Sequence, residues 1–443
     1  MFGCAEVTVP KLRAGTNEIA IAPPKLDIWF YLNICIYLTP YAFCETLNVQ
    51  YRQRNRPMPI KNRFADLHSE ITAWRRDLHE HPEILFDTHR TSAVVAQKLK
   101  EFGCDEVVTG LGRTGVVGVI KGKVDTNGKA IGLRADMDAL PIHEQTGLEY
   151  ASKTDGAMHA CGHDGHTAML LGAAKYLAET RNFDGTVVVI FQPAEEGGGG
   201  GKEMCDDGMM ARFGIQEVYG MHNWPGMEVG QFAIRSGAFF AATDVFEIEI
   251  EGKGGHAAKP HETVDSTVVA SHMVLALQSI VSRNADPVEQ LVVSVTSFET
   301  SSTAFNVIPQ RVTLKGTVRT MNADIRDLAE RRIGEIAKSC AETFGASATP
   351  VYTRNYPVMV NSEEQTQFAA QVATSVSGGC ADAPLIMGGE DFAFMLEERP
   401  GAYILVGNGP TAPVHHPEYN FNDDAILSGC SWWAEIAEQR MPV

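Results

Sequence analysis

A thiol and an imidazole stand two residues apart across a glycine in His159-Ala160-Cys161-Gly162-His163-Asp164-Gly165-His166. A tight turn at that glycine can aim Cys161 and His163 at one point, and thiolate with imidazole suits zinc and other late first-row metals. Alone, the pair reads more simply as a buried thiol beside a helix-capping aspartate, Asp164. Its company changes that balance. Five apolar runs end in carboxylates or histidines. Residues 130–133 lead into Arg134-Ala135-Asp136-Met137-Asp138, and 186–191 into Gln192-Pro193-Ala194-Glu195-Glu196. Residues 218–220 lead into Met221-His222, 384–387 into Gly388-Gly389-Glu390-Asp391, and 402–406 into a loop carrying His415-His416-Pro417. In open α/β sheets, ligands bind outside the carboxyl ends of strands. The pattern predicts a metal site.

The adjacent glutamates have a mechanical use. In an extended segment Glu195 and Glu196 point in opposite directions, so one can hold a metal while the other faces a substrate. Five glycines follow at 197–201. They suit a backbone passing close to another group better than a merely solvated acidic loop.

These groups need a frame. Phe64, Leu67, Ile71, Trp74 and Leu78 recur at helical spacing and predict an amphipathic helix that stops near Pro82. Beyond it, apolar runs alternate with helical stretches, including one over 167–179, as in an α/β sheet with parallel strands. Residues 240–355 break the alternation. A strand (243–251), a helix (263–281), strands at 290–299 and 311–320, a helix through Ile325, Leu328, Ile333, Ile336 and Ala337, and a strand near 348–353 give the order βαββαβ. That order predicts a ferredoxin-like domain inserted into the larger one, splitting the catalytic domain into 58–239 and 356–443.

Composition narrows the function. The chain has 443 residues, enough for two or three domains at about 100–200 residues each. With 37 Lys+Arg against 55 Asp+Glu its net charge is −18, which provides no field to attract nucleic acid or an anionic membrane. No apolar run approaches the roughly 20 residues of a spanning helix. Nine scattered cysteines fit no disulfide framework, so a reducing compartment, the cytoplasm, is expected. Residues 1–57 form an unrelated extension with a broken apolar segment at 28–43. The reading adopted is that Met58 is the true start, in preference to a signal peptide.

The motifs RADMDALP, MHACGHDGH, FQPAEEGGGG, GMHNWPG, GKGGHAAKP, FNVIP, GGEDF and HHPEYNFND occur in this order. Over about residues 58–443 the chain resembles the dimeric metal-dependent amidohydrolases. These include hippurate hydrolases, N-acyl-amino-acid amidohydrolases and auxin-conjugate hydrolases, with carboxypeptidase G more distant. The resemblance implies two divalent metal ions per subunit (zinc, manganese, cobalt or nickel). Cys161 would bridge them, with His163, His222, Glu196 and His415 as ligands and His416 ranked behind His415. Glu195 would be the general base, while Asp136 and Asp138 would orient ligands. The inserted domain would dimerise and cover the site, with His256 reaching the partner's site. Asn306 and Arg319 would hold a substrate carboxylate, although for Arg319 a surface ion pair is an equal alternative.

The expected reaction is cleavage of N-acyl amino acids, with N-benzoylglycine (hippurate) as the leading substrate. Indole-acetyl, acetyl or succinyl conjugates and small dipeptides stay open. So does a thiol hydrolase built on Cys161, which chelation would spare. A non-catalytic binding protein on the same frame is disfavoured by the full set of ligands and base.

Overall fold

Strands buried on both faces read as continuous apolar runs, and helices must cover each face. The computed structural model describes residues 62–443, so the expectation about residues 1–57 lies outside the described residues. In chain order the large unit begins with α1 (Asn62–Glu80), α2 (His89–Glu101), β1 (Glu106–Leu111), β2 (Gly115–Lys121), β3 (Ala130–Asp136), α3 (His163–Thr180) and β4 (Thr186–Gln192). It continues with α4 (Gly200–Asp206), α5 (Met209–Arg212), β5 (Glu217–Pro225), β6 (Phe232–Ile234) and β7 (Gly237–Phe240). A smaller unit follows: β8 (Ala242–Glu251), β9 (Gly255–His256), α6 (Ser266–Ser279), β10 (Leu291–Thr300), β11 (Val307–Ile308), β12 (Arg311–Thr320), α7 (Ala323–Thr343) and β13 (Ser347–Arg354). The large unit then resumes with β14 (Met359–Asn361), α8 (Glu363–Ser377), β15 (Cys380–Asp382), α9 (Phe392–Glu398), β16 (Gly401–Gly409) and α10 (Ala425–Arg440).

The large sheet has eight strands in the order β1-β2-β4-β3-β5-β16-β6-β15. Its centre, β4-β3-β5-β16, is parallel, and antiparallel pairs flank it. On one face α1, α3, α8 and α10 pack together around Ile71, Leu170, Trp432 and Trp433, all fully buried. The helix stripe of α1 is the expected one, with Phe64, Leu67, Ile71 and Leu78 inward. The other face is closed by α4, α5 and α9 around Met204, Met209 and Phe392. The small unit is a four-stranded antiparallel sheet, β10-β12-β8-β13, with α6 and α7 on one side. Its order and pairing are those of the βαββαβ arrangement. α6 starts later than the spacing predicted, because Asp265 accepts the Thr267 and Val268 amides and sets the first turn there.

Two expectations need correction. Residues 384–387 are not a strand: Ile386 makes a single bridge to Phe240, and the nearby strand is the short β15. Glu195 and Glu196 are not extended. They sit in a turn entered through Ala194 at φ +52°, so their divergence comes from the turn rather than from pleating.

The chain crosses between the units twice, and the crossings are paired. Thr243 N–H donates to the Tyr356 carbonyl (3.0 Å), and Asn355 N–H donates to the Thr243 carbonyl (3.1 Å). Buried Asp244 braces them, taking Arg326 through Nε (2.9 Å) and Nη2 (2.6 Å) and the Tyr352 hydroxyl (2.7 Å).

Candidate metal centre

Cys161 and His163 lie at the start of α3, on either side of Gly162. Gly162 has φ +89°, and a Cβ there would overlap the Asn223 side-chain amide and the Tyr419 hydroxyl. Only glycine permits both the left-handed turn and that approach. Asp164 is not a cap: it lies buried in the first turn, paired with His79 at 2.8 Å and near Arg75 at 3.6 Å. His222, on β5, donates from Nδ1 to the Asn223 carbonyl (2.6 Å), which leaves Nε2 facing Cys161 Sγ at 3.3 Å.

Beyond β4, the turn carrying Glu195 and Glu196 is pinned by Asp138. Its two oxygens accept the Glu195 N–H (3.0 Å) and the Glu196 N–H (3.1 Å). His415 sits beyond β16 in the left-handed region (φ +66°), its N–H given to the Ala160 carbonyl at 2.7 Å. That conformation is uncommon outside glycine, and it swings Nε2 to 3.4 Å from Glu196 Oε1. His416 instead takes the Glu418 amide. Donor atoms of Cys161, His163 and His222 lie within 4.8 Å of one another, as do those of Cys161, Glu196 and His415. The two triads share the thiol.

The donor chemistry fits divalent cations. Both ring nitrogens of His163 and Oε1 of Glu196 are buried and make no well-formed hydrogen bond among the described residues, with Asp138 3.4 Å from His163 Nδ1 and His415 3.4 Å from Glu196 Oε1 as loose neighbours. Each such group costs about 1–3 kcal/mol unless something faces it. Asp136, Asp138, Glu195 and Glu196 crowd the same space. Burial opposes a charged His163, yet Asp136, Asp138 and Glu196 raise it to about 10. Burial pushes the Cys161 thiol well up, and the carboxylates add to the shift. A thiolate there therefore needs cations beside it, which counts against a free thiol nucleophile. Burial and neighbouring His166 hold His222 well below the usual range, as a neutral imidazole ligand requires. Burial and then Glu390, Glu196 and Asp391 push Glu195 well above the carboxylate range.

Other groups near the centre are already engaged. His166 takes the Asn223 N–H on Nε2 (2.8 Å) and holds Asp136 Oδ1 through Nδ1 (2.6 Å), so it supports β5 and offers no free lone pair. Fully buried Arg134 contacts Asp136 (2.8 Å), Glu390 (3.0 Å), Asp391 (3.0 Å) and Gln192 (2.8 Å). A hydrogen-bonding role for His166, one turn into the helix after Cys161, is what its position suggests, whereas the reach of Arg134 to Glu390 and Asp391 was not legible from spacing. An arginine inside an apolar strand run was the one available hint.

The triads open on a cavity of about 400 Å³. Trp224, Phe240, Val245, Ile386 and Val414 give it an apolar side, and Arg319 lies on its wall. Arg319 has no carboxylate partner among the described residues. Its guanidinium contacts Thr317 Oγ1 and the Val318 carbonyl, so the surface ion pair is not what is found. His256 and Asn306 do not line this cavity. Both are exposed and lie side by side, with Ala257 N–H donating to the Asn306 carbonyl at 3.0 Å and His256 paired with Val307.

A parallel sheet that delivers two donor triads and a buried glutamate to one cleft defines a metal-dependent hydrolase. Residues 132–439 match the model of peptidase family M20/M25/M40. The chain is 44% identical to hippurate hydrolase of Campylobacter jejuni over 379 residues, covering 84% of this chain and 97% of that protein. It is 38% identical to N-acetylcysteine deacetylase of Bacillus subtilis over 371 residues, covering 84% and 96%. The crystal structure of a dinuclear metal-binding M20 peptidase from Bacillus subtilis superposes with a TM-score of 0.75 at 34% identity, over 85% of this chain and 99% of that one. The chain belongs to peptidase family M20/M25/M40 and is a metallo-amidohydrolase.

Proposed function

We propose that the enzyme hydrolyses N-acyl amino acids whose acyl group is apolar, with N-benzoylglycine the foremost candidate. The observation that carries this reading is the cavity itself. Its lining brings Glu195 and Cys161, Glu196, His222 and His415 together with apolar side chains and with Arg319, which has no carboxylate partner among the described residues. An aromatic acyl group suits the Trp224 and Ile386 side, and a substrate carboxylate suits Arg319 through bidentate pairing. The relatives include both a hippurate hydrolase and an N-acetylcysteine deacetylase, so a short acyl group is the second reading.

In this proposal Cys161, His163, His222, Glu196 and His415 hold two divalent ions, of zinc, manganese, cobalt or nickel. When bound, such ions supply Lewis acidity that activates water and polarises the amide carbonyl. Glu195 takes the proton of the attacking water and returns it to the leaving nitrogen. Divalent ions beside Glu195 would offset the burial and neighbouring carboxylates that raise its proton affinity, leaving it able to take a proton and then give it up. Asp138 keeps that carboxylate in place through the backbone. Arg319 orients the amino-acid end.

We further propose that residues 240–355 act as a domain that dimerises the chain and covers the cleft. The exposed His256–Asn306 corner would reach a partner's cavity, His256 facing the developing oxyanion and Asn306 the substrate carboxylate. Among the described residues no helix is long and apolar enough to cross a membrane. The six cysteines among them are free thiols, which supports a reducing compartment such as the cytoplasm.

The test is amino-acid release from N-benzoyl, N-acetyl and indole-acetyl amino acids by a chain starting at Met58. Each metal is supplied in turn and each assay repeated after EDTA. Metal-dependent release favouring benzoyl substrates supports the reading. Activity that survives chelation defeats it.

A further inference from the structure

The Tyr356 side chain ties the crossing between the two units to the turn that carries Glu195. Its hydroxyl donates to the Glu195 carbonyl at 2.6 Å and accepts the Gly199 N–H at 3.2 Å. Its backbone belongs to the crossing: the carbonyl accepts Thr243 N–H (3.0 Å) and Arg326 Nη2 (3.2 Å), and its N–H reaches Thr243 Oγ1 (3.3 Å). The ring stands edge-on to Phe394 of α9 (6.0 Å, 82°).

The turn needs outside support. Ala194 (φ +52°), Gly197 (φ +131°) and Gly199 (φ +69°) all lie at positive φ, and a run of glycines has little stiffness of its own. Two groups from elsewhere in the chain fix it. Asp138 holds the Glu195 and Glu196 amides from within the large unit. Tyr356 holds the Glu195 carbonyl and the Gly199 amide from the crossing. Any rotation of the small unit about the paired crossings moves that hydroxyl, because Arg326 of α7 grips the same residue's carbonyl.

We propose that Tyr356 is a positioning residue, which makes the placement of Glu195 depend on the orientation of the small unit. The base is then fully set only when the wall bearing Arg319 is in position around a substrate. This rests on Glu195 being the base.

The test compares Tyr356→Phe with Glu195→Gln in the full, metal-loaded chain, using N-benzoylglycine as the probe. Expected for Tyr356→Phe are unchanged metal content and thermal midpoint, KM close to wild type, and kcat lower by roughly 10–100-fold, the cost of a small misplacement of a reacting group. Hydrogen exchange at the Gly197 and Gly199 amides should quicken while that of β4 does not, a readout that needs no turnover. A wild-type kcat, or a rise in KM alone, or unchanged exchange at those glycines overturns the coupling. If Glu195→Gln keeps its turnover, the base assignment has failed instead. If Tyr356→Phe folds poorly, the wild-type chain decides the matter. Protection of residues 195–199 should rise during steady turnover of saturating N-benzoylglycine, and equal protection with and without it refutes the proposal.

Discussion

Arg134 offers a quantitative check on the electrostatics beneath the metal centre. Its guanidinium is fully buried and is the cation shared by Asp136, Glu390 and Asp391. Arg134→Met keeps much of the volume and removes that charge, leaving three buried carboxylates without it. Breaking a buried ion pair in this one-sided way costs about 3–5 kcal/mol. Unfolding entropy of about 2.1 cal/mol/K per residue, over roughly 380 residues, gives about 0.8 kcal/mol/K. The thermal midpoint of the metal-free variant should therefore fall by about 4–6 °C relative to metal-free wild type. A pH dependence distinguishes this cause from simple loss of packing. Burial lifts Asp391 to about 7 even with Arg134 opposing the shift. A carboxyl raised in the folded state favours folding when protonated, and that contribution is lost as pH rises through its folded value. Removing Arg134 raises it further, so the deficit should be larger at pH 8 than at pH 6. Scanning calorimetry or circular dichroism at both pH values reads this directly. A midpoint that is unchanged, or a deficit equal at pH 6 and pH 8, refutes the uncompensated-charge argument.

Three further outcomes follow from the same geometry. Glu195→Gln should retain its metal, measured by elemental analysis, while kcat drops by about 10²–10⁴-fold. Gly162→Ala should destabilise the chain by about 1–3 kcal/mol in denaturant titration and lower the metal bound per chain, because a Cβ at φ +89° forces Cys161 and His163 apart from Asn223. His79 loses by burial but gains more from Asp164 and Glu144, which raise it to about 9. Its charged form therefore stabilises the fold fully below about pH 6.5, and this is lost as pH rises through about 9. The deficit of His79→Gln, of order 3 kcal/mol at pH 6, should shrink between those values in urea titrations.

The strand ends were readable from sequence because each central strand carries an apolar stretch that gives way to polar residues toward its carboxyl end. That held for β3, β4, β5 and β16, the four that run parallel through the middle. It failed at 384–387, where an apolar tetrapeptide packs as an irregular segment with one bridge. The small unit was legible almost strand for strand, since its alternating pattern leaves one face to the helices and one face open. What the sequence hid are the long-range supports. Arg134 meets Asp391 across 257 positions, His166 meets Asp136 across 30, and Tyr356 meets Glu195 across 161. No periodicity or spacing encodes such pairs. The shape of the Glu195–Glu196 turn was also hidden, because Ala194 at positive φ has no signature in residue type.

The paired crossings bear on the order in which the chain assembles. β5 and β16 are neighbours in the sheet, yet Val218 meets Gly401 only after the chain has wandered through the small unit. Closing a loop of about 180 residues is entropically costly, but a folded small unit brings its own two ends together and leaves about 70 residues to close. At about 0.6 kcal/mol per doubling of length, that shortcut is worth about 0.8 kcal/mol, or roughly a fourfold preference for forming β8–β13 before β16 docks. Pulse-labelled hydrogen exchange during refolding should then find β8 and β12 amides protected ahead of those in β16; simultaneous protection would mean that the insertion gives no head start to the sheet it interrupts.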